Sequence, residues 1–224
     1  MANHYSGLDQ HDQWAVTMFL YRSALSKMKT KIKILNDEFS NIQRNNPVEH
    51  VNSRIKSPQS IVGKLHRQNI EVTIENMVEY ISDIAGIRIV CSFTPDIYKI
   101  ASLLARQQDV KVLNTKDYIK NPKPNGYRSY HMIVAVPVYL SDDCIDVKVE
   151  IQIRTIAMDF WASLEHKINY KFAGNAPEDM TEQLKSCADI VAELDNRMFK
   201  LNESIINARP VSSEYDDMDL DEDL

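Results

Sequence analysis

The stretch IDVKVEIQIRT, residues 145 to 155, alternates without a break. Ile145, Val147, Val149, Ile151 and Ile153 fall on one face of a strand, and Asp146, Lys148, Glu150, Gln152 and Arg154 fall on the other. The odd residues read as core and the even residues as a solvent face. An acid, an amide and a base in succession can hold an ion or take up a proton. The plain alternative is a wet sheet face laced with cross-strand ion pairs.

Four further segments carry residues suited to phosphate and base recognition. In SRIKSPQSIVGKL, residues 53 to 65, Arg54 and Lys56 precede a helix opened by Ser57 and Pro58. Ser60 and Lys64 lie four apart and share a face of that helix. Free N–H groups, a positive dipole end and three cations make a cradle for a polyphosphate. The alternative is an exposed basic helix end. Gly63-Lys64 is no P-loop, because Leu65 stands where that motif requires Ser or Thr. In SDIAGIRIVCSF, residues 82 to 93, Ile87, Ile89, Cys91 and Phe93 alternate, so Arg88 points the other way. Arg88 can pair with an acid or stack on a base. Asp83, just before that strand, is either a turn residue or a ligand for Mg²⁺; with Glu150 it could hold an ion that bridges phosphates. In KPNGYRSYHM, residues 123 to 132, Gly126 permits a tight turn and Tyr127 follows it. Tyr127 beside Lys123, Arg128 and His131 suits stacking on a purine; ordinary loop-to-strand packing is the alternative. In AMDFWASLEHKINYKF, residues 157 to 172, helical spacing puts Phe160, Leu164 and Ile168 in the core, with Trp161 partly so. Glu165, His166 and Asn169 then either reach a ligand or face solvent as ordinary polar side chains. A carboxylate at Glu165 could accept from the N1–H and 2-amino group of guanine, which adenine does not offer.

The elements that must position these residues follow from periodicity and punctuation. Helices are expected over 12–44, 58–67, 73–81, 94–107, 155–172 and 178–207, and strands over 85–93, 110–113, 130–139 and 145–154. Asn121-Pro-Lys-Pro-Asn-Gly126 is a loop. The fold class is α+β, a mixed sheet of four or five strands flanked by long N- and C-terminal helices. Residues 1–46 form an N-terminal helical region, 47–172 a catalytic domain, 173–211 a C-terminal helical region and 212–224 a disordered acidic tail.

Composition sets outer bounds. The chain has 224 residues and a net charge of −6, but seven of its 32 acids lie in the tail from Ser212, leaving a nearly neutral body. That body is too weakly basic for general nucleic-acid binding. The polar start and the lack of a long apolar run predict a soluble cytoplasmic protein that does not meet the membrane. The three cysteines are far apart and make no zinc pattern. His11-Asp12 reads as a polar lead-in to the first helix.

The segments SRIKSPQSIVGKL, DIAGIRIVCSF, NGYRSYH and VEIQIRT followed by WASLEHKINYK stand in an order that resembles the synthetase domain of RelA/SpoT-type (p)ppGpp synthetases. The short chain is similar to the small alarmone synthetases of that family. The resemblance spans residues 47 to 172 and implies a nucleotidyltransferase-like domain. It further implies transfer of pyrophosphate from ATP to the 3′-hydroxyl of GDP or GTP, with release of AMP. By that likeness Arg54, Lys56, Ser60 and Lys64 bind ATP phosphates and Arg88 stacks on adenine. Asp83 and Glu150 serve Mg²⁺, with Glu150 also the base. Lys123, Tyr127 and His131 bind the guanine nucleotide, supported by Gln152, Arg154 and Glu165. The resemblance also implies a homotetramer and leaves room for (p)ppGpp or RNA as regulators. In some members (p)ppGpp binds between subunits through an aromatic and a Thr shortly before the SRIK-like segment. Here that stretch is EHVNS, with His50 and Asn52, a departure that weighs against product activation. A pocket kept for binding alone has no need of two carboxylates facing phosphates. Nucleotidyl transfer would bring paired acids two residues apart, which no strand here carries.

Overall fold

The computed structural model describes residues 9–42, 46–171 and 178–208. Along the chain run α1 (Gln10–Asn41), β1 (Val48–Ile55), α2 (Pro58–Arg67), α3 (Ile74–Tyr80), β2 (Ala85–Cys91), α4 (Thr94–Ala105) and β3 (Lys111–Asp117). Then follow β4 (Tyr130–Tyr139), β5 (Cys144–Thr155), α5 (Ile156–Lys171) and α6 (Glu178–Ala208). The acidic tail from Ser212 lies outside the described residues.

The regular alternation of 145–155 makes β5 the central strand of a five-stranded sheet ordered β1-β2-β5-β4-β3. β2 runs parallel to β5, and the other neighbours pair antiparallel. Ile145, Val147, Val149, Ile151 and Ile153 are all buried. Each such side chain contributes about 1.5–3 kcal/mol of transfer free energy. They share one core with Ile87 and Ile89 of β2 and with Met18, Tyr21, Met28 and Phe39 of α1.

Register then decides what the opposite face carries. Arg88 pairs with Gln152 across β2 and β5, Gly86 with Glu150, Arg54 of β1 with Gly86, and His131 of β4 with Gln152. Because side chains alternate across a sheet, four strands present Arg54, Arg88, Glu150, Gln152 and His131 on a single face.

Helix ends follow local chemistry. Ser57 caps α2 by accepting from the Ser60 N–H at 3.3 Å, and Asp9 caps α1 by accepting from the Asp12 N–H at 2.8 Å. The cap of α4 falls on Phe93, one residue before the expected Thr94; the Phe93 N–H donates to Asp96 at 3.1 Å. α6 is tied across the back of the site. Trp161 Nε1–H donates to the Leu184 carbonyl at 2.9 Å, and Thr155 Oγ1–H donates to Asp195 at 2.8 Å. Trp161, Ala162, Leu184 and Ala188 form a second, smaller core there.

Three expectations are corrected. β1 was not among the expected strands; it is an edge strand, mostly exposed, so the sequence has no reason to alternate. Phe160 and Leu164 are exposed, not core, because α5 turns Met158, Trp161 and Ala162 inward instead. Ile168 does pack on the smaller core, with Trp161. The even face of β5 is open only toward its start: Asp146 is exposed, whereas Arg154 is 4% exposed, covered by α5 and the 123–128 loop.

Candidate active site

Asp83 sits in the turn between α3 and β2, where both α2 and the end of β1 reach it. Lys56 Nζ donates to Oδ2 at 2.5 Å and Lys64 Nζ to Oδ1 at 2.9 Å. Burial works to raise the Asp83 pKa, but the two lysine hydrogen bonds and charges override it and hold the carboxyl below its ordinary value. Ser60 stays outside this cluster; it is exposed and accepts from the Ser57 hydroxyl at 2.8 Å.

Glu150 faces the same region from β5. Its Oε1 lies 3.4 Å from His131 Nδ1, and its Oε2 accepts from Gln152 Nε2 at 3.0 Å. Burial and the negative charge of Asp83 push its pKa up, whereas His131 and Gln152 pull harder, so Glu150 stands below the usual glutamate value. The charge of Asp83 therefore reaches Glu150. Arg54, Gly86, Arg88, Glu150 and Gln152 line a cleft of about 190 Å³ on this face.

Behind Glu150 runs a hydrogen-bonded chain. Arg154 Nη2 donates to the Tyr127 hydroxyl at 2.6 Å, and that hydroxyl lies 2.8 Å from His131 Nε2. A guanidinium can only donate, so the Tyr127 oxygen accepts from Arg154, while His131 turns Nε2 to that hydroxyl and Nδ1 to Glu150. Gln152 joins from the side: its Oε1 accepts from Arg154 Nη2 at 2.9 Å while its amide donates to Glu150.

The loop at 123–128 forms the other wall. Gly126 has φ +88, and a Cβ there would meet the Ala188 Cβ at 2.5 Å, so only glycine fits both the backbone and the packing on α6. Lys123 Nζ lies 4.7 Å from the Tyr127 ring centre and 4.9 Å from that of Tyr118. Glu165, from α5, accepts from Asn125 Nδ2 at 3.1 Å. His166 points to solvent, and the side chain of Asn169 lies outside the described residues.

Sequence reasoning missed three participants. Asp159 Oδ1 receives both Arg88 Nη1 at 3.2 Å and Arg154 Nη1 at 3.0 Å. Tyr118 packs edge-on against Tyr127 and His131. Asn125 anchors Glu165. An acid in the first turn of a helix that follows a strand arginine was the available signal for Asp159; Tyr118 offered none.

Asp83 and Glu150 suit Mg²⁺. They are hard oxygen ligands, ionised at neutral pH and near enough to repel, a repulsion that a divalent cation relieves. The three-residue cluster of metal-ligand types among the described residues lies elsewhere, at exposed Asp9, His11 and Asp12, where capping of α1 accounts for Asp9. A larger cleft of about 540 Å³ lies between α1 and β1, with Arg22, Lys29, Lys33 and His50 on its walls; Asn52 lines the smaller cleft instead.

Residues 53–175 match the family model described as the region found in RelA / SpoT proteins. The chain belongs to the RelA/SpoT family. Among RelA/SpoT relatives, GTP pyrophosphokinase YwaC of Bacillus subtilis (strain 168) is 47% identical over 194 residues, 87% of this chain and 92% of that protein. The crystal structure of small alarmone synthetase 2 from Bacillus subtilis superposes with a TM-score of 0.77 at 46% identity, covering 85% of this chain and 98% of the other. Small alarmone synthetase 1 from Bacillus subtilis, bound to its product pppGpp, gives a TM-score of 0.81 at 35% identity, covering 87% and 99%. The RelA/SpoT region runs from the end of β1 through α5 and includes every site residue expected from the sequence.

Proposed function

We propose that this chain is a GTP/GDP pyrophosphokinase that moves the pyrophosphate of ATP to the 3′-hydroxyl of GDP or GTP, releases AMP and so makes (p)ppGpp for the stringent response. The observation that carries this reading is Glu150, an ionised carboxylate backed by His131, lining a cleft beside Arg54 and Arg88 and within reach of the charge of the lysine-bound Asp83. It is supported by the relatives, which are GTP pyrophosphokinases and small alarmone synthetases.

The chemistry needs position and charge neutralisation more than covalent help. Lys56, Lys64 and Arg54, with Ser60 at the helix start, take the phosphates of ATP, and Arg88 stacks on adenine. The lysines already point at an anion, the Asp83 carboxylate. Tyr127 stacks on guanine, while Lys123 and His131 hold its nucleotide and Glu165 reads the base edge. The 3′-hydroxyl gives its proton to Glu150 as its oxygen bonds to the β-phosphorus, and the bond from that phosphorus to the AMP oxygen breaks. Mg²⁺, held by Asp83 and Glu150, would neutralise charge building on the transferring phosphates. Gln152 and Arg154 keep Glu150 and Tyr127 in place.

Two features bear on assembly and setting. Exposed Ile190, Leu194, Met198, Leu201 and Ile205 recur every three or four residues along α6, and Ile156, Phe160 and Leu164 make a shorter exposed stripe on α5. We assign these to contacts in a homotetramer, read out as four chain masses by light scattering, with a monomer as the refuting result. No helix among the described residues is long and apolar enough to cross a membrane, in keeping with work in the cytoplasm. The departure at His50 and Asn52 argues against activation by (p)ppGpp.

The test is nucleotide analysis. Purified protein with ATP, Mg²⁺ and GDP or GTP yields AMP and a 3′-pyrophosphorylated guanine nucleotide in equal amounts. Formation of ADP alone, or no AMP, refutes the assignment.

A further inference from the structure

Arg88 and Arg154 lie on neighbouring strands, and both send an Nη1 group to a single oxygen, Oδ1 of Asp159, at 3.2 and 3.0 Å. The carboxylate is 16% exposed, Arg88 35% and Arg154 5%. Two guanidiniums this close repel: Arg154 acts to lower the pKa of Arg88, second only to burial, and Asp159 opposes it. The two arginines have separate outlooks. Arg88 lines the cleft beside Arg54 and Glu150, whereas Arg154 turns to the Tyr127 hydroxyl and stands 5.1 Å from that ring's centre. From Tyr127 the chain continues to His131 and Glu150. Asp159 thus forms an ion pair with each arm, and α5 brings it in with its first turn.

We infer that Asp159 is a positioning residue that couples the two nucleotide subsites, holding Arg88 for the donor base and Arg154 behind the acceptor-stacking Tyr127. This rests on the pyrophosphokinase reading above. Its physical content is shared ordering. When the donor base fixes Arg88, the carboxylate bound to it is fixed as well, and so are Arg154 and Tyr127. The acceptor nucleotide then binds to an arm that is already ordered, and the cooperativity is positive. Removing the charge leaves two guanidiniums face to face with no counter-ion, and both arms loosen.

The experiment uses the full chain and a variant set of Asp159→Asn and Asp159→Glu. The native protein must first release AMP from ATP and GDP, since a failure there refutes the pyrophosphokinase reading rather than this inference. In Asp159→Asn, KM for ATP and KM for GDP both rise by about tenfold, the scale of one lost charge-assisted hydrogen bond, while kcat changes by less than about threefold. Asp159→Glu restores the charge and recovers at least part of both losses. Independently of the Asp159 variants, calorimetric titration of the native protein with GDP shows tighter binding in the presence of a non-hydrolysable ATP analogue, and this enhancement vanishes in Arg88→Ala. A change in only one KM, a loss confined to kcat, or a native GDP affinity indifferent to the analogue overturns the proposal. The calorimetric arm decides the matter if Asp159→Asn does not fold.

Discussion

Replacing Glu150 by Gln removes one charge and changes the side chain's shape hardly at all. The structure sets the scale of the two consequences. Glu150 offers two acceptors, one toward His131 and one to Gln152 at 3.0 Å. An amide has one acceptor and one donor, so one of these contacts turns donor against donor. An unmet hydrogen bond costs about 1–3 kcal/mol. Loss of the repulsion from Asp83 works in the opposite direction, so the net change in stability is expected to stay within about 1–2 kcal/mol. Turnover behaves differently, because the proton acceptor itself is gone. A positioned general base contributes roughly 10²–10⁴ in rate, which is about 3–5 kcal/mol of barrier. Single-turnover AMP release, with enzyme in excess over ATP, reads that loss, and calorimetry with GDP reads binding separately. The expected result is a rate down by at least about a hundredfold with the GDP dissociation constant within a few fold of native. Since the pKa of Glu150 lies below its ordinary value, the acid limb of the native profile should lie below that value too, and the variant should show no such limb. A Glu150→Gln protein that releases AMP within tenfold of the native rate would refute the base assignment.

Two further perturbations test the surroundings. Gly126→Ala sets a methyl 2.5 Å from the Ala188 Cβ at φ +88; it should lower stability by about 1–3 kcal/mol and raise KM for the guanine nucleotide more than for ATP, and an unchanged urea midpoint would contradict this packing. The third concerns Asp109, which Lys31 holds at 2.6 Å and Lys27 at 3.0 Å. Hydrogen bonds from Lys31 and then Lys27 overcome burial and bring its pKa down to about 2. A depressed carboxyl stabilises above its unfolded pKa, near 3.8, and that contribution drains away as pH falls toward about 2. The pair is partly exposed, so solvent screening leaves about 1 kcal/mol. Urea midpoints compared at pH 5 and pH 2.5 should differ less in Asp109→Asn than in the native chain, and an equal difference would show that the lysines contribute nothing.

Much of this site was legible because its elements are locally encoded. The alternation of 145–155 is long enough to fix both the strand and its inward face, and Ser57-Pro58 announces α2 by cap chemistry alone. Side-chain surroundings were harder to read. Arg154 continues a polar face that begins exposed at Asp146, yet α5 and the Tyr127 loop close over it. Nothing within a few residues of Arg154 announces that cover. Likewise the pairing of Asp159 with Arg88 joins residues far apart in the chain, through a sheet register that no local window contains. Phe160 and Leu164 misled because α5 has apolar residues on two sides, and periodicity does not say which side the sheet takes.

Gly126 is wedged against Ala188, and Trp161 hands its N–H to Leu184. Both partners belong to α6, which begins past residue 175, where the shared RelA/SpoT region stops. A fragment trimmed to that boundary would keep every side chain proposed for the chemistry and still be missing the floor on which the 123–128 loop rests. In this protein the working unit is longer than the stretch that identifies it.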